Sequence, residues 1–202
     1  MRRTKEDAEK TRQEILKYAA KVLNLKGYHA TRLEDIAAAA GVTRGAIYHH
    51  FGSKIELIRG IVQENKSETN KILDEISAKS ITPIQGLKEA LITIIKRLES
   101  DAEFAEREQL LFQLDFYGDL TELETEFKEN LREGFEKVIA ALQESQDENL
   151  IRKELNLESV AFLFISTYLG IMSTYFLNPE GISLEEKAEE LVAILFSGIE
   201  TE

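Results

Sequence analysis

Apolar residues recur at helical spacing along most of the chain, and no stretch shows the strict alternation of a half-buried strand. The first run, over residues 5–26, repeats through Ile15, Ala19, Val22 and Leu23 and stops at Gly27. Thr31 followed by Glu34 reads as a capping box that opens a short helix, Gly41 ends it at a sharp corner, and Thr43 caps a second one. Ile36, Ala37, Ala40, Val42 and Ile47 are spaced so that these two helices cross closely, which predicts a helix-turn-helix. Ser53 with Glu56 opens a longer helix that continues through Leu57, Ile58, Ile61 and Val62 to about Ile76, with Gly60 as its only breaker. Capping signals at Thr82-Pro83-Ile84-Gln85, Ser100 with Glu103, Thr121 with Glu124, Asn156, and Ser183 with Glu186 then predict helices near 83–99, 101–117, 122–145, 157–177 and 184–199. The expected fold is all-α, with a three-helix head over residues 1–53 and a larger helical body over 54–202.

The second helix of the helix-turn-helix turns Thr43, Arg44, Gly45, Tyr48 and His49 outward. A glycine inside so short a helix costs about 1 kcal/mol relative to alanine, so the close approach of a partner surface is the better reason for Gly45. Tyr48 could fill the core, but Ile47 and Phe51 suit that task, which leaves its hydroxyl for a phosphate or its ring for a thymine methyl. Arg44 suits a base edge and is nearly as consistent with a phosphate. Thr31, Arg32 and Lys54 complete the candidate set; Thr31 and Lys54 would mainly position the head on the backbone, Lys54 reaching a phosphate beside the helix that starts at Ser53. Arg2, Arg3 and Lys5 form a basic arm that fits DNA contact or a solubilising tail equally.

The run LEDIAAAAGVTRGAIYHHFGSKIEL resembles the signature of the TetR family of bacterial transcription repressors, across the turn, the Gly-x-Ile-Tyr of the recognition helix and the following Phe-x-Ser-Lys. The resemblance covers the first quarter to third of the chain. It implies a cytoplasmic, homodimeric repressor that binds double-stranded DNA through the head and a small-molecule effector in the body. Phe104, Phe112, Phe116, Phe127, Phe135, Tyr168 and Tyr175 are candidates for lining such a pocket, with Asp115 as a carboxylate for a cationic ligand, although a salt bridge or a solvated edge is the preferred reading of Asp115. The effector would be apolar or amphipathic, released operator binding its consequence. A constitutive DNA-binding protein without ligand control is the alternative, and a small-molecule enzyme with an accessory DNA-binding head a more distant one.

Charge sharpens this division. Residues 1–60 carry 12 Lys and Arg against 7 Asp and Glu, whereas residues 61–202 carry 13 against 30, so a basic head precedes an acidic body within a chain of net charge -12. DNA repels such a body and leaves the head as the contact surface. With zero cysteines there are no disulfides, thiol nucleophiles or thiolate metal sites, and the first residues contain no apolar core of a secretory signal.

Val160 to Leu177 contains no charge, which raises the question of a membrane span. Glu158 and Glu180 flank it, and Ser166, Thr167, Tyr168, Ser173, Thr174 and Tyr175 make it polar, so burial against a second subunit is the preferred reading. Phe162, Ile165, Leu169, Met172, Leu191, Leu195 and Phe196 are then the expected dimer contacts, in a four-helix seam with no membrane. Neither a nucleophile with a base partner nor a phosphate-cradling glycine loop is found, and His29, His49 and His50 lack the spacing of a metal site; no enzyme, metal or cofactor is expected.

Overall fold

The computed structural model describes residues 5–115 and 118–201. Their elements are α1 (Lys5–Lys26), α2 (Leu33–Ala39), α3 (Arg44–Phe51), α4 (Lys54–Ser77), α5 (Pro83–Ser100), α6 (Ala102–Gln113), a 3-10 turn at Gly118–Leu120, α7 (Thr121–Asp147), α8 (Leu157–Leu177) and α9 (Leu184–Ser197). Among the described residues the only extended pairing is one antiparallel bridge between Ile151 and Glu200.

Side-chain caps set several boundaries. The oxygens of Thr43, Ser53, Thr82, Asn156 and Ser183 accept from the amides of Ala46, Glu56, Gln85, Ser159 and Glu186, which removes one orphan donor from each helix start. Three expected caps differ. The Ser100 hydroxyl donates back to the Lys96 carbonyl at 3.1 Å and closes α5, and Thr121 donates to the Gly118 carbonyl at 2.8 Å. At the third, Arg32 and not Thr31 precedes α2, and Asp35 accepts from the Arg32 amide at 2.9 Å.

The chain forms two compact units, and their division departs from a cut at residue 53: the first comprises Met1–Ser67 with Glu103–Thr125, the second Glu68–Ala102 with Glu126–Glu202. In the first, α1 contributes Ile15, Leu16, Ala19, Ala20 and Leu23 to a core completed by Ile36, Ile47, Phe51, Leu57, Ile58 and Ile61. The apolar face of α4 up to Val62 is buried, which gives its first half to the head. Helix α6 is held to the same unit by polar ties: Asn24 donates to the Glu106 carbonyl at 2.8 Å, Asn65 to Glu108 at 2.9 Å, and Lys17 pairs with Glu103. Phe104 is wholly buried there.

In the second unit α5 lies along α9. Lys88 bonds both carboxylate oxygens of Glu200 at 2.9 Å, Lys96 pairs with Glu189 at 2.7 Å, and Glu99 accepts from the Glu185 amide at 2.7 Å. Phe196, fully buried, meets Phe164 of α8 edge-on with ring centroids 6.2 Å apart.

Gly60 owes its place to packing. A Cβ there would lie 3.0 Å from Phe51 and 3.1 Å from Leu16, both core residues. Gly60→Ala is expected to destabilise the head by about 1–3 kcal/mol through overpacking, read as a lower denaturant midpoint at unchanged slope.

Candidate nucleic-acid interface and effector cavity

The turn between α2 and α3 is made by Gly41 at φ 64°, a left-handed conformation open to glycine, and by the Val42 amide donating to the Ala37 carbonyl at 3.0 Å. Ile47 and Phe51 turn inward from α3 and are buried. Arg44, Gly45, Tyr48 and His49 therefore share the opposite, exposed face, four residues at helical neighbours of one another.

Arg44 is held by two partners. Its Nη1 lies 2.6 Å from Oε1 of Glu34, its Nη2 donates to the Tyr48 hydroxyl at 2.9 Å, and the guanidinium sits 5.1 Å from the Tyr48 ring centroid. The Tyr48 hydrogen bond and then the Glu34 charge raise its pKa above the ordinary arginine value. Tyr48 itself is 43% exposed, as an aromatic aimed at a partner requires. A Cβ on Gly45 would meet only Thr43 Oγ1 at 3.7 Å, ordinary van der Waals contact, so nothing within the chain demands glycine there.

Two of the positioning candidates are turned inward. Thr31 is only 2% exposed and its hydroxyl donates to the Gly27 carbonyl at 2.8 Å, so it shapes the loop before α2 and presents nothing to a phosphate. The Lys54 ammonium donates to the carbonyls of Tyr28 and Thr31 and lies 4.0 Å from the Tyr28 ring centroid. Burial lowers its pKa below the ordinary lysine value, with Asp119 opposing. Lys54 thus ties the start of α4 to the loop before α2, and a phosphate contact would require it to leave that seat. Arg32 and His49 are exposed. Glu34 and Tyr28 were not legible as site residues: the first has a cap spacing, and the second lies in a loop without a motif.

The second unit contains an open cavity of about 620 Å³ between the end of α4, the start of α5 and α7, with Asp74, Lys137, Glu144 and Glu148 exposed to solvent. Its walls include Leu73, Leu87 and Val138; Gly86, Ala90, Gly134 and Ala141 leave the room; Asp74, Glu144 and Glu148 add three carboxylates against one ammonium, Lys137. Lys137 donates to Asn70 at 2.6 Å. Among the described residues, none of the expected aromatics lines this space. Phe104 is core of the first unit, Phe112 and Asp115 are exposed, and Phe127, Phe135, Tyr168 and Tyr175 are half-buried on α7 and α8. Phe116 lies outside the described residues.

The expected dimer contacts also divide. Met172 and Phe196 are buried within the protomer, at 2% and 0% exposure, and belong to its own core. Ile165, Leu191 and Leu195 are half-buried, and Phe162 and Leu169 are exposed. Leu163, Leu177 and Ile194 are exposed as well and had not been singled out by periodicity. Helix α8 meets the length and composition of a membrane span, yet only 17% of its most apolar window is buried within the chain.

Two family models match: that of the bacterial regulatory proteins of the tetR family over residues 15–61, and that of the C-terminal region of MAATS-type transcriptional repressors over residues 82–200. The chain belongs to the TetR family. This TetR-family regulator is 29% identical over 200 residues to the transcriptional regulator AcrR of Shigella flexneri, covering 96% of this chain and 91% of that one. It is 28% identical over 195 residues to TtgR of Pseudomonas putida, covering 95% and 92%. In fold it is similar to NalD, the secondary repressor of the MexAB-OprM multidrug efflux pump in Pseudomonas aeruginosa, with a TM-score of 0.83 at 24% identity over 97% of this chain and 98% of that one. A complex of SmeT with triclosan gives 0.81 at 24% identity, over 95% and 92%. The regulator is a helix-turn-helix transcription factor, and α3 is the second helix of that motif.

Gly45→Ala separates the two reasons for a glycine. It should stabilise the free regulator by about 1 kcal/mol, seen in denaturant unfolding, while weakening binding to a duplex selected by the wild type, seen in fluorescence anisotropy. Lys54→Ala should lower the unfolding midpoint and leave the salt dependence of DNA binding unchanged.

Proposed function

We propose that this regulator is a cytoplasmic homodimeric repressor, not a catalyst, whose hold on a near-palindromic operator is released by a small amphipathic effector in the second unit. The cavity of about 620 Å³ carries the effector half of this reading, since a pocket of that size accommodates a drug-sized molecule. Its aliphatic walls and three carboxylates against one engaged ammonium favour a cation with an apolar body.

The exposed apolar residues of α8 and α9 support the homodimer. A second copy is preferred to lipid as their cover because Glu158 and Glu180 bracket α8 and Glu185, Glu186, Glu189 and Glu190 crowd α9, and a flanking acid gains nothing at an anionic bilayer surface. Two recognition helices would then enter successive major grooves about 34–36 Å apart. Leu73, Asp74 and Ser77 line the cavity from the last turns of α4, the same helix whose first turns are core of the DNA-binding unit. Ligand that displaces those last turns acts on one unbroken helix, and by linkage operator binding must weaken ligand binding by the same factor.

Titration of the regulator–operator complex with a cationic amphipath and with its anionic counterpart tests the effector. The cation should release DNA at a lower concentration, and Asp74→Asn combined with Glu144→Gln should narrow the gap; equal potency of both would remove the charge argument. Phe162→Asp, on an exposed position, should give a folded monomer by sedimentation and reduce operator affinity by about 10²-fold or more through loss of the second half-site.

A further inference from the structure

We infer that Glu34 is a specificity-determining residue of the DNA interface, holding Arg44 for a base edge and penalising its use on phosphate. The inference rests on the reading of α3 as the recognition helix. Three observations carry it. First, Glu34 has no part in capping α2: Asp35 takes the Arg32 amide and pairs with Lys26 at 2.8 Å, and these two contacts hold the Asp35 carboxyl below its ordinary pKa. Second, the Glu34 carboxylate is spent instead on Arg44 at 2.6 Å, although both side chains are exposed and such a pair adds little to stability. Third, α3 itself, RGAIYHHF, contains no acid, so Glu34 is the negative group set against its only arginine.

The geometry divides the donors of the guanidinium. Of its five N–H groups, one is engaged by Glu34 and one by the Tyr48 hydroxyl, and three remain. Two suffice for a bidentate contact with guanine O6 and N7, a contact that leaves both intramolecular partners in place. A phosphate can accept from two of the same N–H groups, but it carries a charge that guanine lacks, so the Glu34 carboxylate beside Arg44 repels it and any swing toward the backbone breaks the ion pair. Binding to arbitrary sequence, which depends on phosphate neutralisation, therefore meets the larger penalty. Glu34 acts through Arg44 and is a positioning residue.

The test uses the full-length protein and a duplex enriched from a randomised pool by the wild type, with a shuffled duplex as competitor. Glu34→Gln, which keeps the shape and removes the charge, should raise affinity for the shuffled duplex about tenfold, leave the enriched duplex within about threefold, and steepen the salt slope on shuffled DNA by about one. In an Arg44→Ala background the same substitution should leave the ratio of the two affinities where Arg44→Ala put it. Tyr48→Phe, which removes the hydroxyl that accepts from Arg44 and keeps the ring beneath the guanidinium, should lower the ratio in the same direction. A Glu34→Gln ratio within twofold of wild type, or an equal change with and without Arg44, overturns the assignment. A wild type that enriches no duplex overturns the reading of α3 itself, whereas clear wild-type preference with an indifferent Glu34→Gln sinks this inference alone.

Discussion

Leu57, Ile58 and Ile61 have no exposed surface, and Gly60 among them lies so close to Phe51 and Leu16 that a methyl group would crowd both. The first half of α4 is thus a wall of the DNA-binding core and not a connector attached to it. Phe51 closes α3 against this wall, so the outward face of α3 has its direction fixed by the packing of α4. Lys54 adds a polar lock at the same end, seated on two carbonyls of the loop before α2. Packing against the first half of α4 therefore helps fix the direction of the α3 face that carries Arg44 and Tyr48.

Charge is partitioned in the service of that arrangement. The basic first 60 residues face a polyanion, and the acidic remainder keeps the rest of the surface off it. Within the head the partition is finer. Asp35 is neutralised by Lys26 and by an amide, Glu64 lies 3.7 Å from Arg12, and Glu34 is matched to Arg44. Three acids of the first unit thus each face a cation, and Glu34 faces the only arginine of α3.

How much of this was written legibly along the chain depends on the kind of signal. Helix starts at Thr43, Thr82, Asn156 and Ser183 could be read because a cap is a local event of three or four residues. The register slipped by one at Thr31 because Thr-x-x-Glu and Arg-x-x-Asp overlap, and only the inward turn of the Thr31 hydroxyl tells them apart. Membership of the units escaped periodicity: Phe104 and Leu111 mark an apolar face of α6, but the pattern does not say which core receives it. The aromatics were a poor guide to the cavity for a related reason. Large side chains fill space, so Phe104 became core, while the void appeared where side chains are small. Glu34 was hidden because its partner is ten residues away on another helix.

The cavity's dependence on small residues has an evolutionary side. A Cβ at Gly134 would meet nothing within 4 Å, and one at Gly86 would make only ordinary contact with Ser80 at 3.5 Å. Both walls can therefore gain a methyl without disturbing the scaffold around them. With the effector seated there as proposed, the range of molecules to which the protein answers can drift by single substitutions while the DNA-binding head stays as it is, and lineages carrying the same head are free to diverge in what they sense.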